Sequence, residues 1–296
     1  MKIVLFGRKI TPNFSAIVRN TSWLLADRVL RMTVGFVLGV WIARYLGVAQ
    51  YGLFSYATAF IYLFNPFVTL GLDNIVVRDL EQDPAAKDKT LGTVFWLRFM
   101  GGWMALLLAI ATIFILRPHE SLTISLVAIL SMAGIFQSMD VIDLWFQSQV
   151  QSKYTVFAKN AAFLCITLVK VTLIALHTPL IAFAWSGFAE ISLGAIALVV
   201  IYQIRGNSLK AWCWSFPVAK ALLREGFPLM LSGLTIMIYM KIAQIMLVGM
   251  VGDRAVGIYT AATRISEAWY FIPGAILSSV TPTIYQARER SDAAGD

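Results

Sequence analysis

The chain has 296 residues, 59% of them apolar and 14% charged, with a formal net charge of +8 and a mean hydropathy of +0.75. Soluble domains carry about 25% charged residues, and a water-soluble core of this length could not hide so much apolar side chain. Water is excluded as the main solvent, and a bilayer takes its place.

In chain order, apolar runs long enough to cross about 30 Å of hydrocarbon fall at 22–45, 53–76, 92–116, 122–146, 155–176, 180–203, 227–251 and 256–281. They lack the roughly 10-residue polar/apolar alternation of a membrane barrel. Inside hydrocarbon the backbone must satisfy its own hydrogen bonds, which leaves helices. The expected fold class is therefore all-α, a polytopic transmembrane helical protein with about eight spans. Ahead of the first run, Lys2, Arg8, Lys9 and Arg19 flank only a short apolar stretch with no small-residue cleavage pattern, so no cleaved signal peptide is expected. Cys165 falls in a span and Cys213 in a loop, so no disulfide is expected. His119 and His177 occupy separate turns without ligand spacing, and no metal is expected. A Gly-Lys-Ser/Thr phosphate loop is missing as well, so neither direct use of ATP nor any other cofactor is expected.

Numbering the connections alternately puts Lys2, Arg8, Lys9, Arg19, Arg78, Lys87, Lys89, Lys153, Arg205, Lys210, Lys220, Arg224, Arg288 and Arg290 on one side, against Arg117 and Arg254 on the other. Lys and Arg collect in cytoplasmic loops, so the N-terminus is expected in the cytoplasm. The net charge records this asymmetry, and nucleic acid is not an expected partner. The opposite loops are short turns and leave no room for an extracytoplasmic enzyme domain. Between the sixth and seventh spans, Trp212, Trp214, Phe216, Leu222 and Leu223 interleave with Lys210, Lys220 and Arg224. That pattern suits a helix lying along the cytoplasmic interface, or an ordinary loop with interfacial aromatics. On the first reading, residues 1–204 form a six-helix lobe, 205–226 a linker, and 227–296 the two-helix start of a second, incomplete lobe.

Two stretches match in register: Gly47-Val-Ala-Gln-Tyr-Gly52-Leu53-Phe54 with Ala57, and Gly252-Asp-Arg-Ala-Val-Gly257-Ile258-Tyr259 with Ala262. In each, glycines permit a tight turn before a new helix, and a proline follows along that helix, Pro66 or Pro273. Chance or shared turn chemistry is the alternative to a true repeat. A true repeat pairs spans one and two with spans seven and eight, and transporters built this way bind cargo between their repeats.

Ionisable groups within spans cost roughly 2.5–3.5 kcal/mol each at a helix centre and need a reason. Asp27 with Arg31, and Arg264 with Glu267, are spaced to pair on one helix face. Arg28, Lys170 and Lys241 have no local acid, and Glu190 stands alone in span six. Arg44 and Arg98, near span ends, are expected as interface anchors. Cations thus outnumber anions, and Arg28, Arg31, Lys170, Lys241 and Arg264 are the expected lining of a cationic cavity, with Asp27, Glu190 and Glu267 as pairing or coupling groups. Such a cavity suits an anionic cargo whose phosphates Arg grips bidentately. Lys241, deepest in its span, is the strongest candidate; a purely structural role is the alternative. Asp140 and Asp143 form a second acidic feature.

The stretch Ile42-Ala-Arg44-Tyr-Leu-Gly47-Val-Ala-Gln-Tyr-Gly52-Leu-Phe-Ser-Tyr-Ala57, followed by Leu70-Gly71-Leu72-Asp73 and Val77-Arg78-Asp79, resembles the polysaccharide repeat-unit (O-antigen type) flippases of the multidrug/oligosaccharidyl-lipid/polysaccharide exporter superfamily. The resemblance implies an inner-membrane, non-enzymatic transporter of 12 to 14 helices in two lobes. Its implied cargo is undecaprenyl-pyrophosphate-linked oligosaccharide, flipped by alternating access, and its implied surroundings are membrane lipids and the polysaccharide polymerase and related assembly proteins. By helix position, Arg31, Lys241 and Arg264 fit the cargo-binding cations of related flippases. A multidrug/cation antiporter of the same superfamily, which would favour acids in its cavity, is the nearest rival. A membrane glycosyltransferase, needing a long loop with catalytic carboxylates, and a non-transporting scaffold are the others.

Overall fold

A computed structural model describes Val4–Leu5, Arg8–Lys9 and residues 14–267. Strands β1 (Val4–Leu5) and β2 (Arg8–Lys9) pair antiparallel ahead of the helices. Ten α-helices follow: α1 (Phe14–Tyr62), α2 (Asn65–Thr69), α3 (Asp73–Gln82), α4 (Lys87–Leu116), α5 (Ser121–Phe136), α6 (Val141–Ser148), α7 (Lys153–Ala175), α8 (Leu180–Ile204), α9 (Phe216–Val251) and α10 (Asp253–Glu267). Among the described residues, six continuous helical stretches are long and apolar enough to cross a membrane. The first of them is two crossings, because Gly47 is non-helical (φ 72°, ψ 168°) and divides α1 into two arms.

Seven of the eight expected spans are found among the described residues, with the following changes. The second runs through the second arm of α1, then α2 and α3. It is interrupted where Pro66 enters the first turn of α2, and again at Leu70 and Gly71, both in the left-handed region. The fourth is α5 and α6 joined through a 3₁₀ turn at Gln137–Asp140. The eighth begins as α10, and its remainder, 268–281 with Pro273, lies outside the described residues.

The segment at 204–226 differs from the interfacial helix expected there. A single 3₁₀ turn (Leu209–Ala211) leads into an extended stretch, and Phe216 already starts α9. The extended stretch is strapped onto the start of α4, with Cys213 N–H on the Asp88 carbonyl (3.3 Å) and Ser215 N–H on Thr93 Oγ1 (3.1 Å). Gly92 permits the approach, since a Cβ there would meet the Cys213 backbone. The 36 residues of α9 reach about 54 Å at 1.5 Å per residue, so its first turns project beyond the hydrocarbon.

Two apolar cores hold the helices together. One gathers Leu38, Tyr56, Phe60, Ile113, Leu126 and Phe183, joined by Val248 of α9 and Val256 of α10. The other gathers Leu72, Val76, Leu91, Ile142 and Tyr202, joined by Ala219 and Leu222 of α9. Many large apolar side chains point outward, Ile115, Leu168 and Met250 among them, as a lipid environment requires.

The two copies of the glycine motif lie against one another. Gly252 repeats the left-handed turn of Gly47 (φ 99°, ψ 176°). A Cβ on Gly52 would run into the Asp253 carbonyl, and one on Gly257 into the Val48 carbonyl. We expect Gly52→Ala and Gly257→Ala each to wedge α1 from α10 and to destabilise the protein by about 1–3 kcal/mol. Gly35→Ala, with open space around it, should leave stability unchanged or slightly raised. Thermal unfolding of the purified protein in detergent distinguishes the three.

Candidate functional site

The charges within the helices divide into two groups. Inside the α1–α8 bundle the cations are paired. Arg31 Nε meets Asp27 Oδ1 at 2.9 Å one turn away on α1. Arg98 of α4 meets Asp73 at the start of α3 at 2.6 Å. Lys159 of α7 lies 2.8 Å from Asp140 and 2.9 Å from Asp143. Lys170 meets Glu190 of α8 at 2.7 Å.

Three of these arrangements correct the sequence reading. Lys170, expected without a local acid, is paired because the tight turn between α7 and α8 folds Glu190 back beside it. Arg98, expected as an interface anchor, is 2% exposed and sits well inside α4, which begins at Lys87 ahead of the apolar run. Lys159 is not among the expected cations at all; Asp140 and Asp143, three apart across a short turn from it, are the signal that points to it. Within the bundle four cations face five carboxylates, so the expected basic excess is not located there.

The second group is Lys241 and Arg264, where α1 meets α9 and α10, together with Arg28 earlier on α1. Lys241 Nζ stands 5.6 Å above the Tyr62 ring, and the Arg264 guanidinium 5.9 Å above the Tyr51 ring. Arg264 fits because Gly39 has no side chain: a Cβ there would overlap the guanidinium. Arg28 is exposed on α1. Among the described residues none of these three cations has a carboxylate within ion-pair distance. Glu267, the expected partner of Arg264, ends α10, and its side chain lies outside the described residues. A ring face attracts and orients a cation while leaving N–H donors available to an anion.

Two further features adjoin these groups. At the end of α4, Arg117 stacks over Tyr56 (4.6 Å) and reaches both Glu120 (2.5 Å) and Asp253 of α10 (3.4 Å), tying α4 to the start of α10. An open-mouthed cavity of about 410 Å³ in the bundle lies beside Asp73, Arg98, Asp140, Asp143 and Lys159. It adjoins one of about 170 Å³ beside Arg31 and Glu190.

A family model described as polysaccharide biosynthesis protein matches residues 17–287. Comparison with curated proteins finds no match. Among solved structures, the chain is similar to a MATE multidrug transporter, DinF-BH. The TM-score is 0.63 and the identity 14%, over 95% of this chain and 67% of that one. The fold is that of a multi-pass helical membrane protein and is shared with that transporter.

The α7–α8 pair yields a direct test. Lys170→Met leaves Glu190 charged and unpartnered within the helices and should destabilise the protein. Lys170→Met with Glu190→Gln should recover much of the loss, giving a coupling energy on the order of 1–3 kcal/mol in a double-mutant cycle.

Proposed function

We propose a function on the premise that the chain belongs to the polysaccharide biosynthesis protein family of the multidrug/oligosaccharidyl-lipid/polysaccharide exporter superfamily. The protein flips undecaprenyl-pyrophosphate-linked oligosaccharide repeat units from the cytoplasmic to the periplasmic face of the inner membrane. The observation that supports this reading is that Lys241 and Arg264, beside α1 on α9 and α10, have no carboxylate within ion-pair distance among the described residues. A cation held in a membrane protein without a counter-ion is costly, and a pyrophosphate passing between the helices supplies that counter-ion through charge-assisted hydrogen bonds.

The remaining assignments follow from this one. Residues 1–204 act as one lobe, the segment from 227 begins a second, and the cargo passes along α1 between them. The N-terminus and the basic loops face the cytoplasm, where lipid-linked precursors carry their phosphates and where Lys and Arg collect. Polymerase and assembly proteins receive the flipped unit. A multidrug antiporter of the same superfamily is the second reading, and the carboxylates around the 410 Å³ cavity are the feature that favours it.

In bacteria lacking their repeat-unit flippase, expression of the chain should restore surface polymer on a lipopolysaccharide gel. Lys241→Ala and Arg264→Ala should each lower that output about tenfold or more at an unchanged level of membrane-inserted protein. Full output from both variants would sink the cationic reading. Absent polymer together with raised dye resistance in the same cells would favour the antiporter.

A further inference from the structure

The 410 Å³ cavity inside the α1–α8 bundle has the size of a small-molecule site. Its wall carries three side-chain amides, Asn65, Gln137 and Gln147, together with the carboxylates of Asp73, Asp140 and Asp143. The two cations on the wall, Arg98 and Lys159, are held by those carboxylates. Three negative charges therefore face two positive ones, and no cation is left for a phosphate. What remains free are neutral amide donors and acceptors and carboxylate oxygens with spare lone pairs, the complement of hydroxyl groups.

Two buried donors beside this space lack a partner. One is Arg98 Nε at the cavity itself; the other is Arg31 Nη2, on a residue lining the adjoining 170 Å³ space, which shares Gln137, Asp140 and Lys159 with the first. Buried N–H groups left unmet are costly, and an oxygen-rich guest meets them. Tyr62 connects the cavity to Lys241: it lines the cavity, and its ring lies beneath the ammonium group.

We propose that this cavity is a sugar subsite, binding the hydroxyl-bearing part of the cargo while Lys241 and Arg264 hold its pyrophosphate on the other side of Tyr62. The proposal rests on the flippase reading and adds a selectivity to it. The negative excess on the wall admits a neutral or amino sugar and opposes a uronic acid, because like charges brought together repel.

The test uses the purified 296-residue chain in detergent and three probes: farnesyl pyrophosphate, the same lipid pyrophosphate carrying N-acetylglucosamine, and the same carrying glucuronic acid. Dissociation constants are measured by thermophoresis. The N-acetylglucosamine lipid should bind about tenfold or more tighter than the bare lipid, and the glucuronic acid lipid should gain nothing. Gln137→Ala and Gln147→Ala should remove the N-acetylglucosamine advantage and leave the bare-lipid constant within about twofold, which also shows that the variants are folded.

An advantage that survives in both variants would overturn the subsite, as would an equal gain from glucuronic acid. If the bare lipid binds and neither sugar adds to it, the subsite fails and the pyrophosphate reading stands. If none of the three lipids binds, the flippase reading fails and the subsite falls with it.

Discussion

An ion buried among helices in a bilayer must find a counter-charge, and the arrangement of this protein depends on that constraint. Hydrocarbon offers no water to solvate a carboxylate or an ammonium group. Three cations inside the α1–α8 bundle therefore fix a neighbour: Arg98 draws in the start of α3, Lys159 the 3₁₀ turn and α6, Lys170 the facing side of α8. Apolar packing alone cannot set such pairings, because lipid tails are as apolar as the side chains they would replace. Ion pairs and side-chain-free contacts supply the specificity that burial supplies in a soluble core.

The helices were legible because a membrane span is chiefly a matter of length and hydropathy, and those are written locally. The glycine repeat was legible for a related reason, since Gly47 and Gly252 mark the only kind of residue that takes a left-handed turn without strain. That Gly52 and Gly257 would then face one another was not, because nothing local states which helix ends meet. The interruption at Gln137–Asp140 was hidden because it contains neither glycine nor proline. Lys170 was judged by its own helix, where no acid stands one turn away, whereas its partner lies on the next. Arg98 was misplaced because α4 starts earlier than its apolar run, which carries the guanidinium further into the protein. Lys241 stood out because a lone charge in an apolar run is visible without any knowledge of its neighbours, whereas Arg264 was read as a partner of Glu267, whose side chain lies outside the described residues.

The two charge groups also divide the chemistry available to a ligand. Paired ions leave a surface that is polar yet close to neutral, suited to directional hydrogen bonding. Unpaired cations create a field that favours an anion over any other guest. Tyr62 stands at the border of the two, lining a cavity while its ring face lies under a lysine. A molecule with a charged and an uncharged half matches that division better than one with a single character.

The pairing pattern bears on how the chain enters the membrane as it is made. Asp73 precedes Arg98 by one turn-and-helix unit, Asp140 and Asp143 precede Lys159 by another, and Lys170 is followed by Glu190 in the next. Each of these charges is thus offered its partner by an adjoining segment emerging from the ribosome within moments. Successive hairpins can leave the translocation channel with these cations already paired, and the desolvation cost of each cation is offset at the step where it arises. Lys241 of α9 and Arg264 of α10 have no carboxylate partner among the described residues, so the insertion of these two helices leans on the bundle already assembled beside α1.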